Sequence, residues 1–407
     1  MRLLHTADWH LGRQLYGQSL IDDQDQLLDQ VVRLATDEHV DAVLIAGDVY
    51  DRAVPPADVV SLLDRTLSRL VVEARIPVIL IAGNHDSAER IAFGGRILAD
   101  QGLFVRGTLD TLSAVRLQDA HGTVAIHPLP YAEPVQVRAL NDRAHRSDLA
   151  DPVDPPHPSG SPDSSPCTES IRDHAQAMAS LLDRLRADQH AHERQILVSH
   201  AFVAGGAESE SERPLSVGGS GAVPPSLFTG FHHVALGHLH RAQSVGAPHI
   251  AYSGSLFKYS FDECEHTKSV SIIEIDAVGA SQVRRVPLTL RRDVRVIRAS
   301  FQELLTQPER FGALTDYLCA QLTDSGPVLD AMARLKQVYP HLLLMQFDAI
   351  LSVAQPEGSM AASNAHRRQP LDVFSAFAQQ ITGEPASDEA RAWMVSAIER
   401  LRAEDRS

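Results

Sequence analysis

Five short stretches of the chain offer carboxylate, carboxamide and imidazole groups in close succession. They are Asp8-Trp9-His10, Gly47-Asp48-Val49-Tyr50-Asp51, Gly83-Asn84-His85-Asp86, Ser199-His200 and Gly237-His238-Leu239-His240. In order they read DxH, GDxxD, GNHD, H and GHxH, and each follows an apolar, β-prone run. This mixture of hard and borderline donors suits a pair of divalent cations such as Mn, Fe or Zn. A bridging carboxylate holds two cations close together, and Asp48 is placed for that role. One cation would take Asp8, His10 and His240, the other Asn84, His200 and His238, with Asp48 shared. Such a pair lowers the pKa of a bridging water, so that hydroxide is available as nucleophile at neutral pH, and clamps an in-line displacement at phosphorus. The chemistry implied is hydrolysis of a phosphate ester.

His85 follows Asn84 directly, and in an extended segment it points to the opposite side of the backbone. It is free to face substrate and to protonate the leaving oxygen as general acid. Asp51, three residues after Asp48, is a candidate hydrogen-bond acceptor for the other nitrogen of His85. Asp86 is a second candidate for that task, or a cap for the helix expected from about residue 88. Arg52 offers a phosphate contact or a surface ion pair. His232 and His233 precede a strand and read as structural. His190 and His192 read as solvated positions on a helix. His5 is expected to point out of its strand and has no assigned role.

Strands and helices alternate over the first hundred residues. Residues 2–7, 42–46 (AVLIA) and 78–82 (VILIA) read as strands. Residues 21–38, a segment opened by Pro55-Pro56 with Val59, Val60, Leu63, Leu67 and Leu70 on one face, and 88–101 read as helices. Continuous apolar strands between amphipathic helices indicate parallel β-structure covered by helices. Ligands in such sheets sit beyond the carboxyl ends of the strands, where Asp8, Asp48 and Asn84 stand. Further strands are expected at 123–126, 195–199, 233–236, 250–252 and 269–275, so that His200 and His238 also follow strand ends. Residues 148–166 are rich in Pro, Ser and Asp and read as an inserted loop. Residues 204–221 read as a loop forming a rim over the site.

After about residue 286 the pattern changes to strands at 294–297, 318–322 and 341–347 with helices at 301–305 and 328–338, a compact βαββαβ-like or split βαβ module. A polar tether, 355–369, leads to two amphipathic segments, 371–381 and 388–401, which read as docking helices. The expected division is a catalytic domain at 1–286, a small α/β capping domain at 287–350, and tether with helices at 351–407.

The chain has 407 residues and 44% hydrophobic content, in the range of soluble globular proteins. No apolar run is long enough to span a bilayer, and a signal peptide is not expected. Cys167, Cys264 and Cys319 are far apart and lack CxxC spacing, which argues against a disulfide framework or thiolate zinc site and favours a reducing cytoplasm. The net charge of −15 counts against nucleic acid as partner unless a local basic surface, the cations or another chain supplies the attraction. One basic cluster is present: Arg284, Arg285, Arg291, Arg292, Arg295 and Arg298. Its members are candidates for tracking phosphates, or charges guarding an edge strand.

The motifs resemble the calcineurin-like metallophosphoesterase superfamily, and within it the SbcD-like nucleases. The carriers are His5-Thr6-Ala7-Asp8-Trp9-His10-Leu11-Gly12, Ala46-Gly47-Asp48-Val49-Tyr50-Asp51-Arg52 and Ala82-Gly83-Asn84-His85-Asp86-Ser87. With them goes Tyr252-Ser253-Gly254-Ser255 followed by Tyr259-Ser260-Phe261-Asp262-Glu263, a stretch not needed for metal binding. The resemblance implies an α/β (α+β sandwich) fold with a capping domain and partner-binding C-terminal helices. It implies the metal ligands named above, His85 as catalytic histidine, and two divalent ions, Mn2+ before Mg2+ or Fe2+. It also implies cleavage of DNA ends, hairpins and single strands in DNA repair and recombination, a coiled-coil SbcC-type ABC ATPase as partner, and a homodimer. Candidate DNA contacts are Arg52, Arg291, Arg292 and Arg295. The alternative is a stand-alone cyclic-nucleotide phosphodiesterase, which would need neither capping module nor docking tail. A non-catalytic scaffold would have lost a ligand, and none is missing.

Overall fold

The computed structural model describes residues 1–148, 171–213, 215, 221–324, 326, 328–347, 387, 390, 391 and 394. Along the chain, β1 (Arg2–Thr6) leads to a two-stranded ribbon, β2 (Gln14–Leu15) and β3 (Gln18–Ser19), and then α1 (Ile21–Asp37). Next come β4 (Ala42–Ala46), α2 (Ala57–Ser68) ending in a π-helical turn, β5 (Val78–Ile81), α3 (Ala88–Ile91), α4 (Gly95–Ala99) and β6 (Leu103–Arg106). They are followed by β7 (Val115–Asp119), β8 (Gly122–Leu129), α5 (Pro134–Asp148), α6 (His174–Arg186), β9 (Arg194–His200) and β10 (His233–Gly237). β11 (Gln243–Val245), β12 (Ala247–Tyr252), β13 (Ser269–Ile275) and β14 (Ser281–Pro287) complete the larger part. The remainder is β15 (Val294–Ala299), α7 (Phe301–Thr306), β16 (Tyr317–Leu322), α8 (Ala331–Lys336) and β17 (Leu342–Phe347).

Two six-stranded sheets organise the larger part. The first runs β14-β13-β1-β4-β5-β6 and the second β11-β12-β10-β9-β8-β7. Strands β1, β4, β5 and β6 of the first and β8, β9, β10 and β12 of the second run parallel, while β13, β14, β7 and β11 pair antiparallel with their neighbours. Alternate residues of the strands face opposite ways, which is why AVLIA and VILI are apolar throughout. Leu3, Leu44, Ile79 and Ile81 meet Ile126, Ile196, Val198 and Ala235 between the sheets. The other faces are covered by α1 and α2 through Leu27, Val31, Val59 and Leu62, and by α6 through Leu181, Leu182 and Leu185. The result is a four-layered α/β sandwich.

The structure departs from sequence expectation where a local signal was weak. The helix expected at 88–101 is two short helices, because Gly94 takes a φ of 71° between them. Val60 is exposed and Leu62 packs inward instead. β6, β7, β11, β14 and α5 were not anticipated, and α6 ends at Arg186, so His190 and His192 lie in the turn region after it rather than on a helix. His5 is not directed outward: it is fully buried, and its Nε2 lies 3.1 Å from the Leu236 carbonyl.

The three strands and two helices expected after β14 are all present, and the strands form a sheet ordered β15-β16-β17 with β15 and β16 parallel, so the element order is βαβαβ and not βαββαβ. A capping box, Ser300 with Glu303, starts α7. This module is fastened to α1. Asp23 is 1% exposed, accepts from the Tyr317 hydroxyl at 2.7 Å, and meets Arg291 at 3.2 Å and Arg292 at 3.8 Å. Residues 1–322 and 328–345 form one compact unit, and residues 323–327 and 346–407 form another. Most of 148–166, and both segments read as docking helices apart from isolated positions, lie outside the described residues.

Candidate metal centre

The five motifs converge at the carboxyl ends of β1, β4, β5, β9 and β10. Backbone hydrogen bonds bind the first two loops together: Asp8 N–H to the Gly47 carbonyl at 3.0 Å, and His10 N–H to the Asp48 carbonyl at 2.9 Å. Four residues here have positive φ: Asp8 (53°), His10 (43°), Asp48 (51°) and His238 (108°). Non-glycine residues adopt this region only at a cost of order 1–3 kcal/mol each. Concentration of such backbone among the candidate ligands marks a site whose geometry the surrounding fold enforces. Gly83 shows how tight the packing is, since a Cβ there would lie 2.1 Å from Asp48 Oδ1.

His10 Nε2 lies 3.1 Å from His240 Nε2, and His200 Nε2 lies 2.9 Å from Asn84 Oδ1. Asp48 Oδ2 sits between them, 3.7 Å from His10 Nε2 and 3.6 Å from His200 Nε2. Asp8 accepts the His238 backbone N–H at 2.9 Å, and its Oδ1 is 3.9 Å from His200 Nδ1. Burial holds all four imidazoles (His10, His200, His238 and His240) below the usual histidine range. The tautomers are partly set. His200 Nδ1 donates to the Ala46 carbonyl at 2.9 Å. His240 Nδ1 faces Ser211 Oγ at 2.5 Å and the Glu263 carboxylate at 3.3 Å. Both Nε2 atoms therefore turn a lone pair inward, that of His240 toward His10 Nε2 and that of His200 toward Asn84 Oδ1.

The lone pairs of His200 Nε2, Asn84 Oδ1 and Asp48 Oδ2 repel one another unless a cation lies among them. Burial, and then the charge of Asp48, likewise push the Asp8 carboxyl well above its ordinary range. The donor set fits divalent metal. Asp8, His10 and His240 offer ligand atoms within 4.8 Å of one another, and so do Asp8, Asp48 and His200. The His238 imidazole stands outside these groups, its ring 5.5 Å from that of His200.

Several residues support the ligands in ways that the sequence did not indicate. Glu263 is fully buried; burial alone would raise its carboxyl, but Lys268 and His240 outweigh this and hold it well below the usual range. It is thus an anchor for His240, a carboxylate–histidine arrangement that orients the ligand. The Tyr252-to-Glu263 stretch, expected to be dispensable for metal binding, supports the ligands in this way. Tyr252 also holds the loop after His200, donating to the Ala201 carbonyl at 2.7 Å and accepting from Val203 N–H at 2.8 Å. Gln24 donates to the His10 carbonyl at 2.8 Å. Asp86 neither caps α3 nor meets His85. It accepts N–H groups of Val49, Tyr50 and Gly83 at 2.9–3.1 Å, tying the loops after β4 and β5; burial and Asp48 push its pKa up to about 7.

His85 donates its backbone N–H to Asp48 Oδ1 at 2.9 Å, while its Nε2 reaches 4.0 Å from Asp48 Oδ2. Its Nδ1 pairs with the backbone carbonyl of Asp51 at 3.0 Å, not with the Asp51 carboxylate. That carboxylate instead lies 3.8 Å from His10 Nδ1 and 3.5 Å from Arg13. The Arg52 side chain is 73% exposed, with Asp51 3.8 Å away. Arg291 and Arg292 engage Asp23, and Arg295 pairs with Asp316 at 2.6 Å while donating to the Phe311 and Ala313 carbonyls. These three arginines are held within the protein.

Two family models match the chain: calcineurin-like phosphoesterase over residues 1–241, and the type 5 capsule protein repressor C-terminal domain over residues 290–382. The SbcD component of the SbcCD nuclease of Staphylococcus saprophyticus is 33% identical over 85% of this chain and 84% of its own length. Its counterpart in Staphylococcus epidermidis is 30% identical over 85% of each chain. A dimetal phosphatase from Danio rerio aligns with a TM-score of 0.41 at 16% identity, covering 70% of this chain and 96% of its own. The chain belongs to the calcineurin-like phosphoesterases, and among them to the SbcD components of SbcCD nucleases.

Proposed function

We propose that the chain is the metal-dependent nuclease component of an SbcCD-type complex, a hydrolase that cuts phosphodiester bonds in DNA during repair and recombination. The observation that carries this reading is the ring of neutral imidazoles and carboxylates whose lone pairs converge beyond the strand ends, in a chain of this family. Asp8, His10, Asp48, Asn84, His200, His238 and His240 would hold two divalent ions, with Mn2+ the best match to a site of mixed nitrogen and oxygen donors. Such ions supply an activated water and neutralise charge developing on the phosphate.

The chain's own residues do the rest. Asp48 receives the His85 backbone N–H, which fixes the loop carrying the imidazole. The Asp51 carbonyl accepts from His85 Nδ1 and orients the ring. His85, with a side chain 14% exposed, presents Nε2 at the mouth of the site as general acid to the departing oxygen. The Asp51 carboxylate stands 3.8 Å behind His10 Nδ1 and is itself paired with Arg13 at 3.5 Å. Arg52, exposed beside them, contacts a flanking phosphate. Arg291 and Arg292 fasten the capping module to α1 through Asp23 and Arg295 braces the module internally through Asp316, so any DNA phosphate competes with these carboxylates for them.

The division into residues 1–286, 287–350 and 351–407 then has a rationale: catalysis, capping and docking of a coiled-coil SbcC-type ABC ATPase. The substrates are DNA ends and hairpins, the working form is a homodimer, and the compartment is the cytoplasm. No helix among the described residues is long and apolar enough to cross a membrane. The test is cleavage of an end-labelled hairpin DNA and of a cyclic nucleotide in manganese, with and without the ATPase partner and ATP. DNA cleavage enhanced by the partner supports the reading. Hydrolysis of the cyclic nucleotide alone would retain the centre and overturn the substrate.

A further inference from the structure

Tyr131 lies just past the end of β8, and its backbone N–H donates to the Ala82 carbonyl at 3.0 Å, directly before the GNHD loop. Its ring stands edge-on to the metal-site imidazole of His200, with centroids 6.3 Å apart, and stacks on His174 at 6.0 Å. With His174, His200 and Phe202 it lines a narrow slot on the His200 side of the centre. Tyr131 also lines an open cleft of about 350 Å³. That cleft lies between the start of α3, three residues after His85, and the face of α5. Its walls include Leu109, Val135 and Leu140, with Thr108, Gln136 and Arg143 as polar groups. A half-buried aromatic thus borders both the slot beside His200 and a space of ligand size.

We propose that Tyr131 and this cleft form a subsite for one unpaired nucleobase next to the phosphate being cut. The inference rests on the DNA-cleaving reading of the centre and gives it a determinant of substrate structure. Charge selects the occupant. Glu89 and Asp110 line the cleft and Glu133 accepts the Tyr131 hydroxyl at 2.5 Å. Arg143 already stands 4.0 Å from Asp110. A phosphate would be repelled there, whereas a neutral base offers a face to stack and amine hydrogens to the carboxylates. Stacking on an aromatic ring tolerates any base but needs that base to be free of the duplex. The site then favours hairpin loops, frayed ends and single strands over intact duplex.

The test is a cycle of substrate and protein changes in the full chain. A single-stranded oligonucleotide is made with one abasic position moved along it, and cleavage is measured in manganese for wild type, Tyr131→Phe and Tyr131→Ala. Wild type and Tyr131→Phe are expected to lose about tenfold in rate when the abasic position falls beside the cut, and Tyr131→Ala to show no such dependence. A role for Tyr131 in folding alone would slow the normal and abasic substrates equally. The second readout requires no turnover. 2-Aminopurine at that position is expected to be quenched on binding in EDTA by wild type and Tyr131→Phe, and not by Tyr131→Ala. Indifference of wild type to every abasic position, or quenching unchanged in Tyr131→Ala, would overturn the subsite while leaving the nuclease reading standing. Failure of wild type to cut any DNA, with a simple phosphodiester still hydrolysed, would defeat the reading beneath it.

Discussion

His85 and Glu263 act on the same centre in different ways and separate its chemistry from its assembly. His85 is joined to the site through its backbone and offers an imidazole at the mouth. His85→Ala is therefore expected to lower kcat for DNA by about 10²–10⁴-fold while metal content stays at the wild-type level, as read by elemental analysis. Glu263 touches no substrate but fixes His240. Glu263→Gln is expected to weaken metal affinity by about 10–100-fold and to recover activity at high manganese. A variant that bound metal normally yet stayed slow would remove Glu263 from its positioning role. Farther from the centre, burial pushes His5 and His233 down to about 3, against an ordinary value of 6.5. Between those values the unfolded chain binds the protons that the fold refuses. Their contribution to stability is thus complete above about pH 6.5 and declines as pH falls toward 3, by up to about 1.4 kcal/mol per pH unit for each. His233→Gln is expected to flatten the acid limb of a urea-midpoint profile, and an unchanged limb would refute this.

The elements explain what the sequence made legible and what it hid. Strands β1, β4, β5, β9 and β10 were readable because uninterrupted apolar runs have one physical cause, burial on both faces. Each ends in a chemically distinctive loop, so the candidate ligands could be placed at the strand ends from the chain alone. β7 and β14 are edge strands with polar and exposed positions, and they blur into the loops beside them. The break at Gly94 requires one backbone angle that helical periodicity does not reveal. Asp86 looked like a cap or a partner of His85, because its sequence position adjoins both; only the fold brings Val49 and Tyr50 to it. Asp86→Ala removes an acceptor shared by three backbone N–H groups. It is expected to cost about 3 kcal/mol in chemical denaturation, with weakened metal binding as the loops after β4 and β5 separate. Retention of both properties would mean that water replaces the carboxylate without loss.

For the whole molecule, an acidic protein that handles DNA has to derive its attraction locally. The net charge of −15 gives no general pull, and Arg291, Arg292 and Arg295 are engaged by carboxylates within the protein. On the proposed reading, the cations, Arg52 and a partner chain supply the attraction. Deletion from residue 371 onward is expected to abolish association with the ATPase in size-exclusion chromatography while leaving metal-dependent phosphodiester hydrolysis intact. Loss of both would refute the division of labour. The central claim is that the converging ligands hold two metal ions and that those ions are needed to cut DNA. It is tested most directly by titrating manganese into metal-free protein, following bound metal and hairpin cleavage together for wild type and Asp48→Ala. Wild type is expected to bind two ions per chain, with cleavage rising as the second site fills, and Asp48→Ala to lose tight binding and cleavage together. Full cleavage with one ion, or by Asp48→Ala, would contradict the account.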